Sequence, residues 1–192
     1  DGFFAAYGFD PDYELFEDGM TADGVPDMRE ALTSSINGQG GLTNGGEVVV
    51  LYFWDGASDL VTDLDYVVWG DKDEAVDKTG VSVDGPDADL LETAYQPDTA
   101  VASQDVVSAG AHASGESFAR IDFNEGSETA TGGNGVGGAD ETSENLSVTW
   151  AIAAPTPGEA PPSGWVINEV HADPDGSLAG DANNDGTRDG SQ

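Results

Sequence analysis

The sequence predicts an all-β fold: an antiparallel β-sandwich with long acidic loops and one or two short helices. Three observations lead there. Short β-branched and aromatic runs are bounded by Gly, Asp and Ser, as strands are. Other segments alternate apolar and polar residues with period two, which marks a strand with one wet face. The connections are long, polar and rich in turn formers, which suits antiparallel sheets better than helix-linked parallel ones.

The elements follow in chain order. Residues 3–9 (FFAAYGF) form one helical turn, with Phe3 and Tyr7 on a shared face and Asp10-Pro11 as the stop. Residues 27–36 (DMREALTSSI) are a second short helix candidate. Val48 to Trp54 (VVVLYFW) lies between Gly45-Gly46 and Asp55-Gly56; a continuous apolar run of this length predicts a strand buried on both faces. Leu64 to Trp69 suits the return strand of a hairpin. Ala119, Ile121 and Phe123 alternate with Arg120 and Asp122, and Val148, Trp150 and Ile152 with Thr149 and Ala151, so the apolar members are expected to face inward. Trp165 to Val170 is the last strand. Residues 70–90, 95–117 and 124–146 are loops, and the Pro/Gly-rich stretch around 159–164 reads as a linker.

Composition limits the function classes. With 38 acidic residues against 5 Lys+Arg, the net charge is −33. That sign disfavours nucleic acid, whose backbone attracts basic surfaces, and anionic lipid. Disorder, a saline habitat or several calcium sites could produce such a balance. Disorder fits poorly, because the aromatics cluster and 38% of residues are hydrophobic. A halophilic or marine origin fits better, since salt screens a carboxylate-covered surface. Cysteine is absent, which excludes disulfides, thiolate metal sites and cysteine nucleophiles. No apolar run approaches the ~20 residues of a membrane span. The chain opens without Met and closes in a polar run, so both ends look cut from a longer protein, and a missing signal peptide is not evidence against export.

Motifs that carry chemistry are few. Residues 181–192 read DANNDGTRDGSQ: Asp181, Asn183, Asp185, Gly186 and Asp189 occupy positions 1, 3, 5, 6 and 9 of an EF-hand-type calcium loop, with the Thr187 carbonyl at position 7. Position 12 is Gln192 rather than a bidentate Glu, so a solvated acidic turn competes with calcium. No organic cofactor is expected. Gly133, Gly135 and Gly138 match a dinucleotide fingerprint formally, but Ala139-Asp140-Glu141 follows and would repel phosphate, which makes this a loop. His112 and His171 lack a partner at zinc-ligand spacing and are expected to be polar loop residues. No nucleophile elbow or Walker loop occurs, and Asn145-Leu146-Ser147 is a glycosylation sequon. Of the tryptophans, 54, 69 and 150 sit in or beside apolar strands and are expected in the core, while Trp165 is a candidate stacking platform.

Val166-Ile167-Asn168-Glu169-Val170, followed by Ala172-Asp173-Pro174 and the loop from Gly180 to Thr187, resembles the opening strand and first loop of prokaryotic lamin-tail domains. Residues 1–158 resemble the remainder of an earlier copy: Phe3–Gly8 is similar to its small helix, Leu42–Leu51 to its LxNxGD segment and central strand, and Asp65-Tyr66-Val67 to its D-x-V-x-Y strand with the aromatic displaced. Gly115–Arg120 is similar to its G-x-S-x-x-R segment, and Thr156-Pro157-Gly158 to its closing TPG. The resemblance implies an immunoglobulin-like sandwich over 1–158 that lacks its opening strands, then the linker, then the first strand and acidic loop of a second copy over 165–192. It also implies an accessory module without catalytic residues, extracellular or at the cell surface, beside hydrolases or in surface proteins. Trp165–Val170 is then expected to fold back into the vacant sheet edge. The function this points to is non-catalytic structure or adhesion, with a protein or polysaccharide surface as partner. The alternatives are a carbohydrate-binding module, or the accessory domain of a secreted nuclease or phosphatase.

Overall fold

The computed structural model describes residues 2–13, 24–26, 42–43, 45–124, 127–159, 166–167 and 169–170. Most of its regular structure is strand, in small antiparallel sheets with few helices, as the all-β reading requires. Among the described residues no helix is long and apolar enough to cross a membrane. The helix expected at the N-terminus is α1 (Gly2–Tyr7), closed by Gly8 at φ +80°. The helix candidate at 27–36 lies outside the described residues.

The expected hairpin is present. β1 (Gly46–Phe53) pairs antiparallel with β2 (Thr62–Gly70), from Gly46 opposite Gly70 to Phe53 opposite Thr62, with an irregularity between Leu51 and Tyr52. Its base admits no side chain at position 70: Gly70 sits at φ +75°, and a Cβ there would lie 2.0 Å from the Gly45 carbonyl oxygen. The strand expected to be buried on both faces is not the buried one. β1 is only half-buried, and Tyr52 and Phe53 are exposed, whereas every residue of β2 from Asp65 to Gly70 is buried. The reason is position. β2 has β1 along one edge and residues 106–108 along the other, where the Val107 amide donates to the Val68 carbonyl (3.0 Å) and the Gly70 amide to that of Ser108 (2.8 Å).

β3 (Ser82–Val83) and β4 (Thr93–Ala94) make a small second hairpin. The third sheet has β5 (Ser117–Arg120) at its centre, between β6 (Trp150–Ala153) and β7 (Glu169–Val170), both antiparallel. Phe118 faces Ile152 on one side and Val170 on the other. Strands on either side of residues 159–164 therefore share one sheet. For Glu169 and Val170 this is the fold-back expected of the last strand, and Trp165 and Asn168 lie outside the described residues.

The core joins the first sheet to the third. Trp69 of β2 lies against Phe118 of β5 with ring centroids 5.5 Å apart, and Val67, Val68, Tyr66, Leu146, Trp150 and Val170 complete it. Burying rings of this size stabilises the fold by roughly 2–3 kcal/mol each. Two of the alternation readings are out of phase. In β5 the buried residues are Ser117, Phe118 and Arg120, while Ile121 beyond it is exposed, because Arg120 enters the interior as an ion-paired group. Val148 belongs to a short helix, α2 (Leu146–Thr149), and is exposed; β6 begins only at Trp150, and its Ile152 is exposed as well.

Candidate functional site

The five residues expected to bind calcium, Asp181, Asn183, Asp185, Thr187 and Asp189, lie outside the described residues, as does His171. The glycine triplet is a loop closed on itself. The Gly132 amide donates to the Gly138 carbonyl (2.7 Å) and the Gly135 amide to that of Ala139 (2.9 Å), and residues 141–143 form a single 3-10 turn rather than a phosphate-facing helix. His112 is buried edge-on against Phe118, with centroids 4.8 Å apart and its Nδ1 2.9 Å from the Ala113 carbonyl oxygen. That is a core position, not a ligand position. Trp69 and Trp150 are core residues as expected, but Trp54 is 45% exposed. The sequence reading placed it inside; the structure puts it beyond the last paired residues of the hairpin, where no second layer covers it.

Each described cationic side chain is held by internal acceptors. Arg120 donates from Nη1 to Glu144 Oε1 (3.0 Å), from Nη2 to Asp65 and from Nε to the Ile167 carbonyl (3.0 Å), with its guanidinium 4.9 Å from the Trp150 ring centre. Asp65 also accepts from the Ile167 amide (2.6 Å), so both backbone polar groups of Ile167 are held by members of one buried ion pair. Lys78 bridges Asp63 (2.8 Å) and Asp98 (3.0 Å). Burial works against its charge, but the bonds and charges of the two aspartates prevail and raise its pKa. Lys72, at φ +68°, donates to the Gln104 carbonyl (2.8 Å).

The outward charge is carboxylate, and one group of it lies beyond the tip of the first hairpin. Asp55 caps the turn: its carboxylate accepts from the Ser58 hydroxyl (2.6 Å), the Ser58 amide (2.7 Å) and the Ala57 amide (2.9 Å), which holds its pKa down at about 2. The indole N–H of Trp54 donates to the Ser58 carbonyl (2.8 Å) and so fixes the ring on that turn. Asp59 accepts from the Thr93 hydroxyl and from the Gly85 amide (2.9 Å), which lowers its pKa and ties the 84–93 loop to the tip. The approach is close: a Cβ on Gly85 would lie 2.7 Å from the Ser58 carbonyl oxygen. Carboxylate oxygens of Asp59, Asp84 and Asp87 all lie within 4.8 Å of one another.

Comparison of the chain with family models, with curated proteins and with solved structures finds no match in any of the three.

What the site can do therefore follows from its own groups. Asp59, Asp84 and Asp87 offer hard oxygens, the donor type calcium takes. Asp55 and Asp59 are held ionised at neutral pH, which suits ligands or bases rather than proton donors. Sequence reasoning missed this triad. Its members sit in two loops brought together only by the Asp59–Gly85 and Asp59–Thr93 bonds, and in so acidic a chain no spacing marks them out.

Proposed function

We propose that this chain is a non-catalytic structural or adhesive module of an exported multidomain protein. In this reading it is an immunoglobulin-like sandwich of the lamin-tail type, and its acidic loops face water, salt or calcium. The observation that carries the proposal is the commitment of Arg120, Lys78 and Lys72 to internal acceptors. Among the described residues no cation is left over to hold an anionic substrate or a developing oxyanion, the roles that charged side chains fill in hydrolytic sites. The buried carboxylates of Asp65 and Glu144 serve the same internal pairs. The resemblance of residues 1–158 and 165–192 to lamin-tail segments supports the accessory role and the placement outside the cell.

Calcium is the cation such a surface would take, at 181–189 or at the Asp59–Asp84–Asp87 group, and it would stiffen the loops rather than catalyse. The test pairs two measurements. Phosphate-ester, carboxylic-ester and glycoside substrates are incubated with the purified chain, with and without calcium; no turnover above buffer is expected. Turnover that scales with protein concentration and survives repurification overturns the proposal. Thermal unfolding at matched ionic strength, with calcium and then chelator, reads the ion directly, because a bound ion raises the midpoint by linkage. A calcium response removed by Asp181→Ala with Asp185→Ala places the ion in that loop, and one removed by Asp84→Asn with Asp87→Asn places it at the tip.

A further inference from the structure

The tip of the first hairpin exposes apolar side chains that the core does not use. Tyr52, Phe53 and Trp54 are 56%, 58% and 45% exposed; Tyr52 and Phe53, neighbours in β1, point to opposite faces of the hairpin, and Trp54 follows at its end. Leu90 and Leu91, 84% and 68% exposed, ride on the loop that Asp59 anchors to the same tip. Leu90 is also held at φ +66°, a conformation that costs a branched residue about 1–2 kcal/mol and that solvation of its side chain does not repay. Isolated exposed apolar residues are ordinary, but an aromatic ring fixed on its turn, with two exposed leucines on a loop tied to that turn, has the composition of an interaction surface.

Charge decides what fits. Asp55 and Asp59 lie on the same turn as Trp54, Asp84 and Asp87 on the loop tied to it, and the described cations are all engaged elsewhere. An anionic glycan or a second copy of a chain at −33 meets repulsion here, and a neutral glycan gains nothing from the field. A cationic partner gains twice. Guanidinium groups stack on exposed aromatic faces and bond carboxylates in pairs, while apolar neighbours cover Leu90 and Leu91.

We propose that the 52–59 tip together with the 84–91 loop is a docking surface for a basic amphipathic segment of another protein, arginine-bearing on one side and apolar on the other. This rests on the reading of the chain as a binding rather than catalytic module. The surface is set before binding, since Asp55 and the Trp54 indole fix the turn through Ser58.

Fluorescence anisotropy of a labelled, end-blocked alternating arginine–leucine peptide tests this, with an arginine–serine peptide of equal charge for comparison. The chain is expected to bind the leucine peptide more tightly than the serine one. Trp54→Ala or Leu90→Ser should each weaken it by about tenfold, the scale of one lost aromatic or apolar anchor. Asp10→Asn with Asp12→Asn, on the N-terminal segment whose Phe9 lies against Gly158, removes two negative charges elsewhere and should change affinity by no more than about twofold. Both single variants alter exposed side chains and leave the core intact. Equal binding of the two peptides, with no response to Trp54→Ala, means that the acidic surface merely collects cations, and the proposal falls. It falls equally if a neutral oligosaccharide competes for the tip, or if Trp54→Ala abolishes self-association in sedimentation, because either names a different occupant. Failure of peptide binding without turnover in the substrate panel leaves the non-catalytic reading standing.

Discussion

Arg120→Met is the substitution that most directly probes how this fold is held together. The guanidinium and its partners are almost dry: the side chains of Arg120, Asp65 and Glu144 are each 2–3% exposed. Removing the cation leaves two buried carboxylates facing each other and frees the Ile167 carbonyl. Breaking a buried pair in this way costs about 3–5 kcal/mol, because a charge remains without its counter-ion. The carboxylates do retain donors, Tyr66 and Ile167 amides on Asp65 and Thr149 and Ser127 hydroxyls on Glu144, which argues for the lower part of that range. Against a total stability of roughly 5–15 kcal/mol for a domain, the loss is large. Urea unfolding followed by tryptophan fluorescence measures it. Adding Glu144→Gln to Arg120→Met removes one stranded charge and is expected to restore about 1–2 kcal/mol. In the same variant, amide exchange at Val170 should accelerate, since the β5–β7 pairing loses its clamp at Ile167. A cost below about 1 kcal/mol, the worth of an exposed pair, would show that the cluster is wet and refute the reasoning.

Three further outcomes are expected. Tyr66→Phe removes an O–H that donates to Gln104 Oε1 (2.8 Å) and accepts from the Val76 amide (3.1 Å), so it should cost about 1–3 kcal/mol in urea unfolding. It should also abolish a tyrosine titration that burial pushes up to about 12, visible by ultraviolet absorbance at alkaline pH. Gly70→Ala forces a Cβ into the Gly45 backbone and should prevent stable folding, whereas Gly80→Ala, at φ +81° with open space around it, should cost only about 1 kcal/mol of backbone strain. Asp55 has a depressed folded pKa, so its contribution is complete above its ordinary value of 3.8 and is lost as pH falls to about 2. The gap in thermal midpoint between wild type and Asp55→Ala should therefore be constant above about pH 4 and close toward pH 2; a gap unchanged at pH 2 contradicts the assigned hydrogen bonds.

The β1–β2 hairpin was legible because both strands carry β-branched and aromatic runs flanked by glycine and aspartate turns. Which of the two is central was not legible. VVVLYFW is the more apolar run, yet LDYVVW is the buried one, because residues 106–108 cover its far edge through contacts between segments remote in sequence. Arg120 shows a second limit. Counting apolar residues puts 119, 121 and 123 inward, and an arginine at 120 then reads as solvent-facing; only the convergence of Asp65 and Glu144, remote in sequence, makes it a core residue. Trp54 shows the converse, since its run looks internal until the hairpin is seen to extend past its cover. The Asp59–Asp84–Asp87 group could not be read from spacing, because two loops must first be tied together by the bonds from Gly85 and Thr93.

Charge in this molecule falls into two populations that salt should separate. Arg120 is buried and Lys78 half-buried, each between two carboxylates, and mobile ions do not enter between groups as close and dry as those around Arg120. Most other carboxylates among the described residues face water, repel one another and act over the Debye length, which falls from about 10 Å at 0.1 M salt to about 3 Å at 1 M. Raising salt should thus stabilise wild type and Arg120→Met alike by screening the outer charges. The difference between them should stay constant within about 0.5 kcal/mol, as additivity predicts for independent contributions. Urea midpoints of both proteins across that salt range measure this. If the Arg120→Met deficit shrinks as salt rises, the guanidinium is one more surface charge, and the ion cluster does not form the dry clamp that joins β2, β5 and the last strand. If the deficit holds while both proteins gain stability, the fold is clamped from inside by a few buried cations, and its acidic exterior is free to be shaped by what it must bind.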